Sequence, residues 1–369
     1  MPLSSAKRAC IAVALLVFLT AGGIGVYLHL AGRKASRTFS DAGPSIYSAP
    51  PEQTKRTLGL LNELPPEAPG IGYIDVESLR RLQTSPLAAL LGLTGSNATE
   101  DRQYEQFVRE TGFDYTRDLD RAAIAFWFGS WDSKTQNASA DSRVFVVADG
   151  RFDERKIRAY ALKSGRVRAG GARPIYEVPG KPDIAFSFLS PTRIAITSGV
   201  QSAELLRGPR PGLPVPGFQS RIDRVAGAPL FGVVRTDRLP ESFYANLNTA
   251  PQIESLARSV RSLTLVAQPQ GDVLQVALDG ESDSPKNALA IATVVEISRM
   301  GASIALSNSK SSSQLSHEQA TFIDALLRRS KITHQDRWVR LAIDLTPDML
   351  GSGAPPFPVR KKSESNPAK

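Results

Sequence analysis

The side chains that most often carry chemistry are scarce in this sequence. Its 369 residues include three histidines and a single cysteine, Cys10. The stretch "SHEQAT" begins like a zinc-protease motif at His317, but position 321 is Thr, so the second histidine ligand is missing. Ser316 and Gln319 fit a helix-capping box instead. The sequence predicts no metal and no cofactor.

Two further patterns could support catalysis. The stretch "SNSK" (Ser307–Lys310) matches the Ser-x-x-Lys of penicillin-recognising enzymes, but the partner motifs of that family do not occur. Asp114, Asp118 and Asp120 lie close together in "DYTRDLD", at a spacing that fails a calcium loop. Paired carboxylates can serve an acid–base mechanism. A hydrolase or transferase acting on envelope polymers through an unrecognised carboxylate site is therefore the alternative, while a protein that is not an enzyme is favoured.

A basic segment is the main candidate for binding. The stretch "RKIRAYALKSGRVRAGGARP" places seven Arg or Lys on one predicted helix and its following loop. Each such residue near an anionic surface contributes about 1 kcal/mol, and the net charge of +9 agrees with an anionic partner. A solvated helix face would show the same pattern. The predicted anionic-surface residues are Arg155, Lys156, Arg158, Lys163, Arg166, Arg168 and Arg173.

The elements that would position these residues begin with an apolar run. From Ala9 to Leu28 there is no charged residue, Pro, Asn or Gln, and about 20 apolar residues in a helix cross a bilayer. Small residues around Gly22 leave a cleaved signal peptide open as the alternative. Because the apolar run continues past that point, we predict a basic n-region at 1–8 and a transmembrane signal anchor at 9–32.

The predicted anchor determines the predicted compartment. Cys10 lies within the run, so the remainder of the chain is free of thiols, which suits an exported domain. We expect a single-pass protein of the bacterial inner membrane, with the lipid bilayer as partner of residues 9–32 and a periplasmic C-terminal domain. Basic residues flank the run on both sides and give no clear orientation. Anionic lipid, an envelope polymer or an unidentified protein are the candidate further partners, and nucleic acid is disfavoured because the basic segment lacks interleaved aromatic residues.

Proline-rich breaks divide the rest of the chain. Residues 33–68 have the composition of a linker, the stretch "GPRPGLPVPGF" predicts an extended spacer at 209–218, and 351–369 have the composition of a disordered tail. Two modules are therefore predicted, at 69–208 and at 219–350.

The two predicted modules resemble each other. Each opens with a short apolar strand that contains a glycine, Gly72 in "APGIGYID" and Gly232 in "GAPLFGVV". The strands "VFVVADG" and "VLQVALDG" both end in Asp-Gly, at Asp149 and Asp279, and "RIAITSG" corresponds to "RLAIDLT". Successive strands joined by turns imply antiparallel pairing, with helices on one face. The predicted fold class is α+β, with two tandem, loosely ferredoxin-like modules that have antiparallel sheets.

Three stretches resemble a family of uncharacterised bacterial proteins with one N-terminal span and an envelope-facing domain. They are "LLNELPPEAPGIGYIDVESL", "FVRETGFDYTRDLDRAAIAF" and "VVADGRFDERKIRAYA", and the likeness covers about residues 58–200. The resemblance implies export and the same architecture, and it supplies no catalytic residue. The predicted function is a membrane-anchored envelope protein with a non-catalytic binding or scaffolding ectodomain.

Overall fold

The computed structural model of the protein describes twelve stretches of the chain. They are residues 51–81, 102–129, 131–132, 137–138, 142–169, 173–179, 183–199, 202–207, 218–245, 251–270, 273–307 and 317–346.

The described strands follow one another in groups that are separated by helices. The strands are β1 (Gly70–Asp75), β2 (Leu119–Trp127), β3 (Trp131–Asp132), β4 (Asn137–Ala138), β5 (Arg143–Gly150), β6 (Arg166–Ala169), β7 (Pro174–Val178), β8 (Ile184–Ser190), β9 (Arg193–Ser198), β10 (Leu230–Arg235), β11 (Val260–Gln270), β12 (Val273–Ser282), β13 (Ser330–Gln335) and β14 (Trp338–Leu345).

The described helices differ widely in length. They are α1 (Pro51–Leu61), α2 (Val76–Arg81), α3 (Arg102–Thr111), α4 (Tyr115–Asp118), α5 (Glu154–Ala161), α6 (Gln219–Val225), α7 (Glu241–Ala245), α8 (Pro251–Ser259), α9 (Pro285–Ser307) and α10 (His317–Arg329), with 3-10 turns at Ser202–Leu206 and Thr236–Arg238.

Twelve strands form one antiparallel sheet, in the order β13-β14-β12-β11-β10-β1-β2-β5-β9-β8-β7-β6, while β3 and β4 pair separately. The first strands of the two predicted modules, β1 and β10, are neighbours at the centre, where Gly72 lies opposite Gly232. The prediction of two ferredoxin-like modules with separate sheets is therefore wrong. Hydrogen bonds between β1 and β10 join both halves, so that neither strand is left as an unpaired edge.

Both halves of the sheet have the same strand order outward from its centre. β1 is followed by β2, β5, β9 and β8, and β10 is followed by β11, β12, β14 and β13. We refer to the described residues within 51–207 as the N-terminal half and to those within 218–346 as the C-terminal half. Two antiparallel neighbours are related by a two-fold axis perpendicular to the sheet. A residue of the N-terminal half therefore corresponds to the residue of the C-terminal half that lies the same number of strands, and of positions along the strand, from the Gly72–Gly232 pair. Two corresponding residues lie on the same face of the sheet.

Helices cover both faces of the sheet, which corrects the expectation of helices on one face. Side chains alternate between the faces along each strand. Face A, defined by Ile71 and Tyr73, packs against α1 and α6 through a core that includes Leu60, Leu61, Ala123, Phe145, Val147, Ile222, Phe231 and Val266. The opposite face, face B, packs against α2, α5, α9 and α10 through three smaller clusters that include Leu79, Ile157, Ala288 and Leu326.

Within the described residues, no helix is both long enough and apolar enough to cross a membrane. The predicted anchor at 9–32 lies outside the described residues, as do residues 33–50 of the predicted linker, most of the spacer and the tail. The prediction of a single-pass inner-membrane protein with a periplasmic domain is corrected on this finding, and we do not retain it.

Candidate functional site

The predicted basic segment is divided between α5 and the outermost strand β6. Arg155 and Arg173 are exposed and form no ion pair within the described part of the chain. The other five basic side chains each lie against a carboxylate, and the hydrogen bond from Lys163 lowers the pKa of Glu110. Five carboxylates thus lie against five of the seven basic side chains. The ion pairs are Lys156–Asp153, Arg158–Glu154, Lys163–Glu110, Arg166–Glu177, Arg168–Glu177 and Arg168–Glu204.

The three clustered aspartates form a structural turn. Asp114 accepts a hydrogen bond from the backbone of Thr116 at 2.9 Å and caps α4. Asp118 is buried, and its hydrogen bond from Arg117 holds its pKa below the ordinary value. Asp120 pairs with an arginine of α2 at 3.0 Å. These carboxylates are engaged in capping and ion pairs.

The other motifs lie at element ends. α10 begins at His317, one residue after the predicted cap, and the stretch that follows Ser307 lies outside the described residues. Among the residues that the structure describes, no group of three or more His, Cys, Asp or Glu side chains could hold a metal ion.

A set of largely buried polar side chains that the sequence does not reveal lies on face A of the C-terminal half. Four side chains from four adjacent strands, β11, β12, β14 and β13, lie opposite one another in register. This polar row is Thr264, Asp279, Arg340 and Thr333. A second row lies two residues further along each strand and consists of Ser262, Glu281, Trp338 and Gln335.

A buried ion pair forms the centre of the polar row. Arg340 donates from Nε to Oδ1 of Asp279 at 2.6 Å and from Nη2 to Oδ2 at 2.7 Å. Asp279 is 4% exposed and Arg340 is 9% exposed. Removing two charges from water costs several kcal/mol for each ion, and the two-pronged geometry offsets that cost.

Two arginines of α6 face these rows. Arg221 donates to the hydroxyl of Ser262 at 2.6 Å and also hydrogen-bonds Glu281. The guanidinium of Arg224 lies over the ring of Trp338, 5.0 Å from its centroid. Such a cation–π contact stabilises by about 0.5–1 kcal/mol when exposed and by more when desolvated.

A small cavity lies between α6 and the polar row. Its volume is about 10 Å³, which is room for about one water molecule. It is lined by Arg221, Arg224, Val225, Thr264, Asp279 and Trp338. The Thr264 hydroxyl is buried without a hydrogen-bond partner in the described structure, and so is that of Thr333. Buried hydroxyls without a partner also occur in the N-terminal half, at Ser187 and Thr197, and of these four described hydroxyls only that of Thr264 lines the cavity.

The N-terminal half has an apolar core at the corresponding position. Counted from the Gly72–Gly232 pair, the counterparts of the polar row are Ala123, Val147, Ala195 and Ser187. The first three are fully buried in the main core. The same fold therefore accepts apolar residues at these sites, and a buried ion pair is not required to build the sheet.

The aspartate of each repeated Asp-Gly motif pairs with an arginine of the neighbouring strand, but the two pairs do not occupy corresponding positions in the sheet. Arg193 donates to Asp149 from Nε at 2.6 Å and from Nη2 at 3.0 Å, and this contact raises the pKa of Arg193. Counted from the central glycines, however, Asp149 corresponds to Glu281, so the two motifs are offset by two residues. The polar row could have been found from the sequence by a polar residue at a core-facing position of a strand, such as Thr264, and not by the Asp-Gly motif.

Comparisons with known proteins show weak similarity to solved structures. No protein-family model matches the chain, and no curated protein matches it. Among solved structures, the chain is similar to TP0453 in crystal form III, with a TM-score of 0.43, 11% identity, and coverage of 79% of this chain and 95% of that chain. Crystal forms I and IV of TP0453 give TM-scores of 0.37 and 0.39, with 11% identity and coverage of 79% and 94% for each. A similarity at this level carries no argument about binding or activity.

Proposed function

We propose that the protein is a non-catalytic binding protein and that the polar face of its C-terminal half contacts the ligand. The polar face comprises the polar row, the second row and the two arginines of α6. The observation that supports the proposal is that three of the four counterparts of the polar row in the N-terminal half are fully buried apolar residues. Replacing a buried ion pair by well-packed apolar residues is often neutral or stabilising by about 1–4 kcal/mol. A polar row at this position therefore has a better explanation in recognition than in stability.

The contacts of the carboxylates favour binding over catalysis. Both oxygens of Asp279 accept hydrogen bonds from Arg340, and Glu281 accepts from Arg221 and from Ser262 at 3.3 Å. A general acid or base must reach the proton of a substrate within hydrogen-bonding distance. Carboxylates held by guanidinium groups serve better to orient those groups. The hydrolase or transferase alternative would need a carboxylate that faces the substrate. The partners expected from the basic segment, namely anionic lipid, an envelope polymer or a protein, stay predictions.

Thermal unfolding of the full chain with a panel of small carboxylates, inorganic phosphate, neutral sugars and amines tests this proposal. The face variant carries Asp279→Leu with Arg340→Met, and the matched control carries Asp149→Leu with Arg193→Met. We expect one or more compounds to raise the Tm of the natural protein and of the control, but not that of the face variant. A ligand at 100 times its Kd stabilises the folded state by about 2.7 kcal/mol. Equal stabilisation of all three proteins, or of none, would contradict the proposal.

A further inference from the structure

We infer that the outer edge of β13 is a dimer interface, at which β13 and α9 meet the same two elements of a second copy of the chain. This surface is distinct from the polar face, and the inference does not rest on the proposed function. β13 is the last strand at one end of the sheet, and none of the described strands pairs with its outer edge. The backbone groups of such an edge can pair with a strand of another molecule.

The N-terminal half shows what fits against an edge of this kind. β8 is the counterpart of β13, but β8 is followed outward by β7 and β6. Counted from the central glycines, Ile332 corresponds to Phe186, whose ring stacks on that of Tyr176 in β7 with 5.1 Å between centroids. Phe186 is buried, whereas Ile332 is only half-buried. Among the described residues, the C-terminal half therefore lacks the strand that completes the sheet at this place.

The backbone of Ile332 points away from β14. The carbonyl of Arg337 accepts a hydrogen bond from the backbone of Ser282 in β12 at 2.8 Å. The direction of hydrogen bonding alternates along a strand, so the even-numbered residues of β14 bond to β13. One of these residues, Arg340, lies opposite Thr333. The N–H and C=O of Thr333 therefore point toward β14, and those of Ile332 point toward the open edge.

This edge is complementary to itself. Two copies of β13 can pair antiparallel about a two-fold axis through Ile332, and most symmetric dimers have such an axis. The two Ile332 residues then exchange both backbone hydrogen bonds. Lys331 lies opposite Thr333 of the second copy, so like charges are not opposed. At the other end of the sheet, β6 carries Arg166 and Arg168 on one face, and pairing of β6 with itself would bring like charges together.

The position of α9 agrees with this pairing. Ala288 and Ala292 of α9 pack on face B against Val339 of β14 and Ile332 of β13. Where α9 lies between these two strands, it is two strand spacings, about 9.6 Å, from α9 of the second copy. Packed helices lie about 8–10 Å apart. The same two-fold axis therefore pairs the strands and brings the two α9 helices into contact.

The surface of α9 favours a second copy over an extended peptide as the partner. α9 is 23 residues long and predominantly apolar, and its Leu289 and Ile304 are 45% and 61% exposed. A helix without a distinct polar face is normally buried against another element. A peptide would cover only the edge of β13, whereas a second copy also supplies a helix beside α9.

Sedimentation velocity of the full chain over a range of concentrations tests the inference. We expect a monomer–dimer equilibrium for the natural protein. Ile332→Pro removes the outward N–H, and an edge strand tolerates proline at a position of this kind. It should weaken dimerisation by at least about tenfold, since each copy loses a hydrogen bond. The matched control, Ile332→Val, keeps the N–H and should dimerise like the natural protein. Circular dichroism melts establish that both variants are folded.

Cysteine cross-linking locates the interface even where the proline variant does not fold. Both variants carry Cys10→Ser. Ile332→Cys places the new cysteine opposite itself across the two-fold axis, with about 5.5 Å between Cα atoms, which suits a disulfide. Val167→Cys is the control on the other outermost strand, where the residue is 48% exposed. Oxidation should give a covalent dimer with Ile332→Cys and much less of one with Val167→Cys.

Three results would overturn the inference. They are a natural protein that is monomeric at every concentration, a folded Ile332→Pro variant that dimerises as tightly as Ile332→Val, and equal cross-linking at positions 332 and 167. None of these measurements involves a ligand, so the dimer and the binding face succeed or fail independently.

Discussion

Breaking the buried Asp279–Arg340 pair from one side should be far more costly than removing it altogether. Asp279→Leu leaves the charge of Arg340, a residue only 9% exposed, without its main counterion. We expect that change to lower the free energy of unfolding by about 3–5 kcal/mol. Adding Arg340→Met removes the stranded charge and fills the space with an apolar chain. The double variant should therefore lie within about 1 kcal/mol of the natural protein, or be more stable.

The Asp149–Arg193 pair of the N-terminal half provides the comparison. Its side chains are 18% and 29% exposed, against 6% and 10% for Asp279 and Arg340, so water screens it more strongly. Arg193 also lies 3.6 Å from Glu63, which remains as a partner when Asp149 is removed. Asp149→Leu should accordingly be less costly than Asp279→Leu.

Urea unfolding followed by tryptophan fluorescence, with linear extrapolation to water, measures the stability of the natural protein and of the three variants. The reasoning is refuted if the Asp279→Leu/Arg340→Met variant is as unstable as Asp279→Leu alone, because the pair would then be a structural requirement. It is also refuted if Asp279→Leu costs less than about 1 kcal/mol, the value typical of a solvated pair.

Three further results are expected. Residues 51–207 and residues 218–346 expressed separately should show no cooperative thermal unfolding by circular dichroism, because β1 and β10 each lose a neighbouring strand. Cooperative unfolding of both halves would contradict a shared sheet. The pKa of Asp118 is lower in the folded than in the unfolded state, so this group contributes stability that is lost as the pH falls through the folded pKa. Asp118→Asn should therefore make the free energy of unfolding fall less steeply below about pH 4. An unchanged pH dependence in this range would exclude this role. Gly165→Ala should lower the free energy of unfolding by about 1–3 kcal/mol, because the new Cβ overlaps a carbonyl oxygen of β7. In helix α1, a Cβ at Gly59 meets nothing within 4 Å, so Gly59→Ala should be neutral or stabilising. Equal Tm values of the two variants would contradict the packing described.

Local features of the fold could be predicted from the sequence, but the pairing of its halves could not. The strands around Gly72 and Gly232 and the strands that contain Asp149 and Asp279 are present where the sequence predicts strands, although the strand with Asp279 continues to Ser282. A strand at the edge of a module and a strand at the centre of a larger sheet have the same alternation of residues. Only the hydrogen bonds between β1 and β10 distinguish two sheets from one.

The candidate site was hidden for a related reason. The basic segment is visible as a run, but the carboxylates that pair with Lys163 and Arg166 lie 53 and 11 residues away in the sequence. The members of the polar row are single polar residues in four different strands. Thr264 and Arg340 become neighbours of Asp279 only through the register of the sheet, which composition and periodicity do not determine.

Amide hydrogen exchange tests most directly the claim that the polar face binds ligand. The full chain is compared with and without the compound that stabilises it most in the thermal panel. We predict slower exchange in peptides that cover β11, β12, β14 and α6, and no change in their counterparts β2, β5 and β9. Protection centred on α5 and β6, or equal protection of both halves, would contradict the claim.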